Sequence, residues 1–162
     1  MKIKNLFLST IIIVSPYVLP YPGLMPGNKL YRAKQVLDKI VQVWSFGNFS
    51  RHKYELNMAD KKLAEAKVLF EYQQYPLALK ALTDSNYHFQ QAGKFLEQAN
   101  KEGKNIVQKE EIYKSAAKKH VEILKSLENT LPEKFLWQPE KKQAIELNLK
   151  SALEEAIKIR EI

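Results

Sequence analysis

The chain has 162 residues, of which 45% are hydrophobic and 27% are charged, a composition typical of foldable globular proteins rather than disordered ones. It contains no cysteine, which excludes disulfides, thiolate metal sites, a cysteine nucleophile and a lipid-modified cysteine. The net charge of +8 would attract anionic polymers, but lysines and acidic residues alternate along the chain, so we expect a solvated basic surface.

Residues 1–20 have the pattern of an export segment. Lys2 and Lys4 precede the apolar run Leu6–Val14, and the charge-free stretch continues to Leu19. As a helix, residues 6–19 would extend about 21 Å, less than the ~30 Å hydrocarbon core of a bilayer. No small residues stand where a signal peptidase needs them. The sequence therefore predicts a signal peptide or short membrane anchor, and the alternative is a buried first element of the domain.

The next segment, residues 21–28, is rich in proline and glycine and predicts an extended arm. Residues 29–162 then predict an antiparallel helical bundle of about five helices and an all-α fold. A coiled-coil dimer and a longer array are alternatives, but helix breakers recur about every 25 residues and favour a bundle within one chain. The oligomeric state stays open.

The five predicted helices follow apolar residues spaced alternately three and four apart. The first begins after the N-cap Asn28 and carries Leu30, Ala33, Leu37, Ile40 and Trp44, and the next three cover about Ser50–Gln73, Pro76 to a stop at Gly103, and Asn105–Asn129. Thr130–Gln138 is expected to fold over the end of the bundle. The fifth helix is predicted to start at Pro139, with the stripe Ile145, Leu149, Ala152, Ala156 and Ile159.

Histidines are the main candidates for chemistry in this chain. His120 shares a stripe with Tyr113 and Leu124, so we expect it to be buried, with a ring nitrogen hydrogen-bonded to another helix. A metal-ligand role for His120 is the alternative. His52 and Glu55 share a helix face and predict an exposed ion pair.

Motifs that carry catalysis are missing from the sequence. It lacks H-E-x-x-H, G-x-S-x-G, a P-loop and G-x-G-x-x-G, and its 5 glycines are too few for a phosphate cradle. We therefore expect no enzyme activity, no catalytic residue, no cofactor and no metal site.

Two stretches resemble a known family. Tyr21–Tyr31 reads YPGLMPGNKLY and Met58–Leu69 reads MADKKLAEAKVL. They are similar to the P-G-x-x-P-x-[SN]-x-x-Y and A-x-[RK]-[RK]-L-x-E-A motifs of a bacterial family of exported, membrane-adjacent helical domains of unknown function. The resemblance implies structural roles for its motif positions, to which we add His120 from its stripe. The candidate structural residues are Pro22, Gly23, Pro26, Tyr31, Leu63, Glu65, Ala66 and His120. A weaker resemblance of Glu65–His88 to a tetratricopeptide repeat has no second copy along the chain.

These observations favour an exported, extracytoplasmic binding or structural module at the cell envelope. Its expected partners are an unidentified envelope component and the membrane, the latter through residues 6–19, and we expect no nucleic acid. Two alternatives from other classes stay open: an extracytoplasmic metal-binding or stress-sensing protein, and a basic binder of polyanions or nucleic acid.

Overall fold

The structure, a computed structural model, describes residues 17–26, 28–31, 33, 36, 46–140 and 143–162. The described elements, in chain order, are α1 (Asn48–Glu71), α2 (Tyr75–Lys101), α3 (Val107–Glu128), β1 (Lys134–Trp137), β2 (Ile145–Asn148) and α4 (Leu149–Arg160). Most of the first predicted helix and residues 1–16 of the predicted export segment lie outside the described residues. The described part is thus mostly helical, with four helices and one small sheet.

Helices α1 and α2 form an antiparallel pair joined by a three-residue turn. Hydrogen bonds between the two helices show this direction. Asn48, at the start of α1, bonds to Glu102 just after the end of α2, and Ala59, further along α1, accepts from the hydroxyl of Ser85, which lies earlier in α2. Gln73 completes the turn with a positive φ of 58°. At its far end α2 stops at Lys101, and Gly103 adopts a φ of 73°, as its predicted role as a helix stop requires.

Small residues line the seam between the helices. The alanines of α1 and α2 at this seam are almost completely buried, and they allow close approach of the two backbones. Larger side chains form two apolar clusters, one near the turn between the two helices and one towards the other end of the pair. One cluster includes Leu63, Phe70, Leu124 and Leu153, and the other includes Leu56, Phe89, Leu96 and Tyr113. Helices α3 and α4 cover these clusters and complete the bundle.

The C-terminal region differs from the predicted fifth helix. Residues 145–148 form β2, which pairs antiparallel with β1, and α4 begins only at Leu149. The strand turns into the helix at Asn148, whose side chain accepts a hydrogen bond from the backbone of Ser151 at 3.0 Å. The prediction of a helix from Pro139 is therefore wrong, and the fold contains a hairpin that the all-α prediction lacked.

One face of the hairpin packs on the bundle through Phe135 and Leu147. Phe135 pairs with Leu147 across the hairpin, and its ring lies 4.6 Å from that of Tyr75. Ile145, predicted to be on the buried stripe of a helix, is 45% exposed in β2. The buried face of α4 is Leu149, Leu153, Ala156 and Ile157. The expectation that the segment after α3 folds over the bundle end is confirmed, since Leu131 and Phe135 contact the core.

The N-terminal arm, residues 17–31 as far as the structure describes them, lies against the bundle. Leu19 and Met25 pack on the first apolar cluster, and Tyr17 packs on the second. Tyr17 and Leu19 belong to the stretch assigned above to the signal or anchor, yet both contact the helices. The packed part of the described chain therefore includes Tyr17.

Candidate functional site

Four titratable side chains of α1 are almost fully buried: His52, Glu55, Asp60 and Glu65. Burying charged groups is unfavourable unless each is paired and hydrogen-bonded. In this protein each of the four has a partner from a different part of the chain, and Asp60 stands at the centre of the largest network.

The core of this network is a chain of three side chains. Arg160 Nε donates to His120 Nδ1 at 3.0 Å, and His120 Nε2 lies 2.8 Å from Asp60 Oδ1. A guanidinium can only donate, so Nδ1 must carry a lone pair. The proton of the neutral imidazole is therefore on Nε2, which donates to the Asp60 carboxylate. This network, Asp60–His120–Arg160, is called the buried triad below.

Arg160, at one end of the buried triad, is held by further hydrogen bonds. Arg160 donates through Nη2 to the Ser85 hydroxyl at 2.9 Å and through Nη1 to Asn86 Oδ1 at 2.6 Å, and its guanidinium lies 5.1 Å from the centre of the Phe89 ring. Burial lowers the pKa of Arg160 to about 10, so the guanidinium stays charged at neutral pH. The triad thus contains one cation, one anion and a neutral ring between them.

The N-terminal arm reaches the triad through Tyr17. Its hydroxyl donates to Asp60 Oδ2 at 2.5 Å, so both carboxylate oxygens are engaged. Burial and then the hydrogen bond to the Asp60 anion raise the pKa of Tyr17. The chain of hydrogen bonds therefore runs from the arm through α1 and α3 to α4.

Burial also sets the state of His120. The imidazole is 0% exposed, and its pKa is lowered by desolvation, with the Arg160 charge acting in the same direction and Asp60 opposing. The predicted burial of His120 and its bond to a neighbouring helix are confirmed. Both ring nitrogens are engaged, which leaves no lone pair for a metal in this arrangement.

A second cluster joins the two family-like motifs. The hydroxyl of Tyr31, from the arm motif, donates to Glu65 Oε1 at 2.7 Å, and Glu65 belongs to the α1 motif. Lys62 completes the cluster at 3.0 Å from both Tyr31 Oη and Glu65 Oε2. Burial raises the pKa of Tyr31, and Lys62 and Glu65 then act on it in opposite directions. The motif residues thus attach the arm to the central helix.

The other candidate residues have simpler surroundings. Leu63 and Ala66 are fully buried in the core of the bundle. Pro22 is half-buried in the arm, and Gly23 has a positive φ of 73°. Pro26 lines a cavity of about 130 Å³ beside Tyr31 and Glu65, smaller than the ~300–1,000 Å³ of typical ligand pockets.

The predicted exposed pair of His52 and Glu55 is wrong. His52 is 2% exposed and bonds through Nδ1 to the Ala92 carbonyl at 2.9 Å, while Glu55 pairs with His88 at 2.6 Å. The reason is that α1 lies between several elements, so residues that seemed to lie on its outer face are covered by α2. Desolvation lowers the pKa of His52.

Sequence reasoning missed Asp60, Arg160 and Tyr17. Asp60 had a usable signal, since it lies four residues after Leu56 and three before Leu63, within the apolar spacing of α1. Arg160 had a similar signal, since it lies four residues after Ala156 and seven after Leu153, in line with the buried face of α4. Its partner positions are 40 and more residues away, and nothing local connects them.

Metal sites and membrane-spanning helices are both absent from the part of the chain that the structure describes. The described residues contain no group of three or more histidine, cysteine or acidic residues placed to hold a metal ion. None of the described helices combines the length and apolar character needed to cross a bilayer.

Comparison with known proteins identifies one family. A family model described as "Domain of unknown function (DUF5667)" matches residues 23–134, more than half of the chain. The matched residues contain all of α1, α2 and α3 and the whole of the Met58–Leu69 stretch, and they begin at Gly23 within the Tyr21–Tyr31 stretch. No curated protein and no solved structure matches the chain.

Proposed function

This chain belongs to the family of DUF5667 domains of unknown function, and we propose that it is a non-catalytic helical module that works outside the cytoplasm. In this proposal the bundle binds or supports an envelope component next to the membrane. The observation that carries the proposal is the basic start and apolar run of residues 1–14, followed almost directly by arm residues that pack on the bundle.

The connection between the apolar run and the bundle is short, which bears on where the bundle would lie relative to the membrane. Only Ser15 and Pro16 separate the apolar run from Tyr17, whose hydroxyl bonds to the buried Asp60. While the export segment is still attached, a bundle joined this closely to it would emerge beside the membrane rather than at the end of a flexible linker. The net charge of +6 that remains without Lys2 and Lys4 would favour an anionic membrane surface.

The same contacts favour a signal peptide over a spanning anchor. Tyr17 and Leu19 pack on the bundle, so the charge-free stretch left for the membrane is Leu6–Pro16. A helix over these 11 residues would extend about 16 Å, roughly half of the hydrocarbon core. We propose that any processing leaves Tyr17 in the mature protein, because Asp60 would otherwise lose a buried donor.

The buried polar residues favour a function carried by the protein surface over catalysis or metal binding in the interior. The buried triad engages both nitrogens of His120 and both oxygens of Asp60, so neither side chain is available to a substrate. Several basic residues that the structure describes are also paired with an acidic neighbour. Lys67, Lys101, Lys104, Lys114, Lys119, Lys134 and Lys150 each pair with a glutamate, which disfavours a dedicated polyanion site.

Export is tested with a reporter that is active only outside the cytoplasm. Residues 1–28 are fused to it in a bacterial host, and activity is expected because the segment has a basic start and an apolar run. A matched fusion with Ile12→Asp interrupts the run and should be inactive. Equal inactivity of both fusions, with equal protein levels, would contradict the proposal.

The position of processing is tested on the full chain expressed in the same host. The intact mass of the protein from the envelope fraction gives its first residue. We expect a mature protein that retains Tyr17. A mature protein that begins after Tyr17 would contradict the proposed role of the arm, whether or not the reporter is exported.

A further inference from the structure

We propose that His120 is a pH-sensitive latch that holds the C-terminal end of α4 on the bundle while its ring is neutral and releases it on protonation. The inference rests on the geometry of the buried triad and does not depend on export. Nδ1 of His120 accepts the Nε–H of Arg160 at 3.0 Å. A second proton on the ring would have to occupy that lone pair, so the hydrogen bond and the charged ring exclude each other.

The groups around the ring come from every element packed on it. Oδ1 of Asp60 in α1 accepts the hydrogen bond from Nε2, and Tyr17 of the arm donates to Oδ2 of the same carboxylate. Arg160 of α4 lies on Nδ1, while α2 contributes the Phe89 ring, whose centre is 5.4 Å from that of the imidazole. Tyr113 of α3 stacks on the Phe89 ring, and its hydroxyl donates a hydrogen bond to the Phe89 carbonyl.

These groups act on protonation in opposite directions. The Asp60 carboxylate favours the charged ring, whereas burial and the Arg160 guanidinium oppose it, and the net result is a lowered pKa. Protonation therefore requires the two cations to separate, because an imidazolium and a guanidinium in contact repel each other in a poorly hydrated site. It leaves the bond between His120 and Asp60 intact, so α1 and α3 stay together.

Helix α4 is the element that can move. It has 12 residues, against 22 to 27 in the other helices, and Arg160 lies in its last turn, followed by the exposed Glu161 and Ile162. The start of α4 is fixed by β2 and by Leu149, which is fully buried. Withdrawal of Arg160 would thus free the end of the helix first and uncover the Phe89 ring that the guanidinium covers.

Amide hydrogen exchange of the full chain, followed by NMR from pH 7.5 to 5.0, tests the latch. Protection, corrected for intrinsic exchange, is compared between the end of α4 (156–160) and the middle of α1. We expect the ratio of the two to fall by about tenfold per pH unit as the pH drops below ~6.5, the ordinary histidine pKa that the ring regains on release, and to level off once the lowered pKa of the latched ring is passed. A constant ratio, or parallel loss of protection in both helices, would overturn the proposal.

Two variants separate the latch from general acid sensitivity. His120→Gln keeps a neutral side chain with donor and acceptor and should make the ratio independent of pH. His52→Gln alters another buried histidine, outside the triad, and should keep the wild-type profile. If His120→Gln does not fold, the NMR titration of the His120 ring in the wild-type protein tests the latch instead. Its midpoint must coincide with the loss of α4 protection, and a separation of more than about one pH unit would refute the latch.

Discussion

Gly93 lies in the middle of α2, where replacing glycine with alanine ordinarily stabilises a helix by about 0.5–1 kcal/mol. Here a Cβ would come within 2.7 Å of Tyr113 Oη and 3.3 Å of its Cζ. That ring is stacked on Phe89 at 4.6 Å, and its hydroxyl donates to the Phe89 carbonyl, so it has little freedom to withdraw. We therefore predict that Gly93→Ala destabilises the protein by about 1–2 kcal/mol in urea unfolding.

A double-mutant cycle checks the cause of that effect. Tyr113→Phe removes the atom in closest contact, so Gly93→Ala should cost less in this background and approach its ordinary stabilising effect. Strict additivity of the two substitutions would show that the hydroxyl is not responsible for the loss.

Tyr31 is the residue that joins the arm motif to the central helix. Tyr31→Phe removes the hydroxyl that donates to Glu65. Glu65 is 2% exposed, and of its two partners in the cluster with Tyr31 and Lys62 it would keep only Lys62. We expect a loss of about 1–2 kcal/mol in unfolding free energy, because a buried carboxylate oxygen loses its donor. Tyr21→Phe is the matched control, since Tyr21 is 87% exposed, and it should change stability by less than about 0.5 kcal/mol. Equal effects of the two substitutions would contradict the proposed attachment.

At the scale of elements, α4 is held mainly by apolar contacts on one face. Leu153 is 1% exposed within the first apolar cluster, so Leu153→Ala should lower the unfolding free energy by about 2–5 kcal/mol. Leu136→Ala, on the outer face of the hairpin at 64% exposure, is the matched control and should cost less than about 0.5 kcal/mol. A large effect at Leu136 would mean that the hairpin face is covered in solution.

The long helices were predictable from sequence because periodicity and caps act locally. The bounds expected for α1, α2 and α3 differ from those observed by only a few residues, and Gly103 ends α2 as predicted. The hairpin was not predictable in the same way. Ile145, Leu149 and Ala152 fit a helical spacing, and strands of four residues give a weak alternation. In the structure Phe135 pairs with Leu147 and its ring packs on Tyr75, and local spacing encodes neither of these long-range contacts.

The candidate site was predictable only in part, for a related reason. The stripe of α3 placed His120 inward, and this required only local spacing. Its partners Asp60 and Arg160 are 60 and 40 residues away along the chain, and they depend on how the helices are arranged. Sequence patterns indicate which face of a helix is buried, but they do not indicate which buried polar residues meet.

At the scale of the whole molecule, α1 acts as the central element. Its buried polar side chains bind three neighbouring elements between them: His52 and Glu55 contact α2, Asp60 contacts α3 and the arm, and Glu65 contacts the arm. Such pairs add little net stability compared with apolar residues, but a wrong arrangement of helices would leave charges unpaired in the interior. We infer that they select one packing among those that alanine-rich seams would otherwise allow.

Tyrosines that pack against the bundle limit the stability of the whole molecule at alkaline pH. Burial raises the pKa of Tyr113 to about 12, and it also raises the pKa values of Tyr17 and Tyr31. A phenol with a raised pKa in the folded state contributes stability that is complete below the unfolded value of about 10 and is lost as the pH rises above it. We therefore predict that the urea midpoint falls as the pH increases from about 9 to 11.

Lysine deprotonation contributes to the same fall, so variants are needed to assign it. Tyr17→Phe removes one buried phenol and should make the alkaline decrease shallower, whereas Tyr21→Phe, at an exposed position, should leave its slope unchanged. Tyrosine ionisation followed by absorbance should also occur at higher pH in the folded protein than in urea. Ionisation of all eight tyrosines at the pH of the unfolded chain, with no change of slope in Tyr17→Phe, would contradict the burial of the arm against α1.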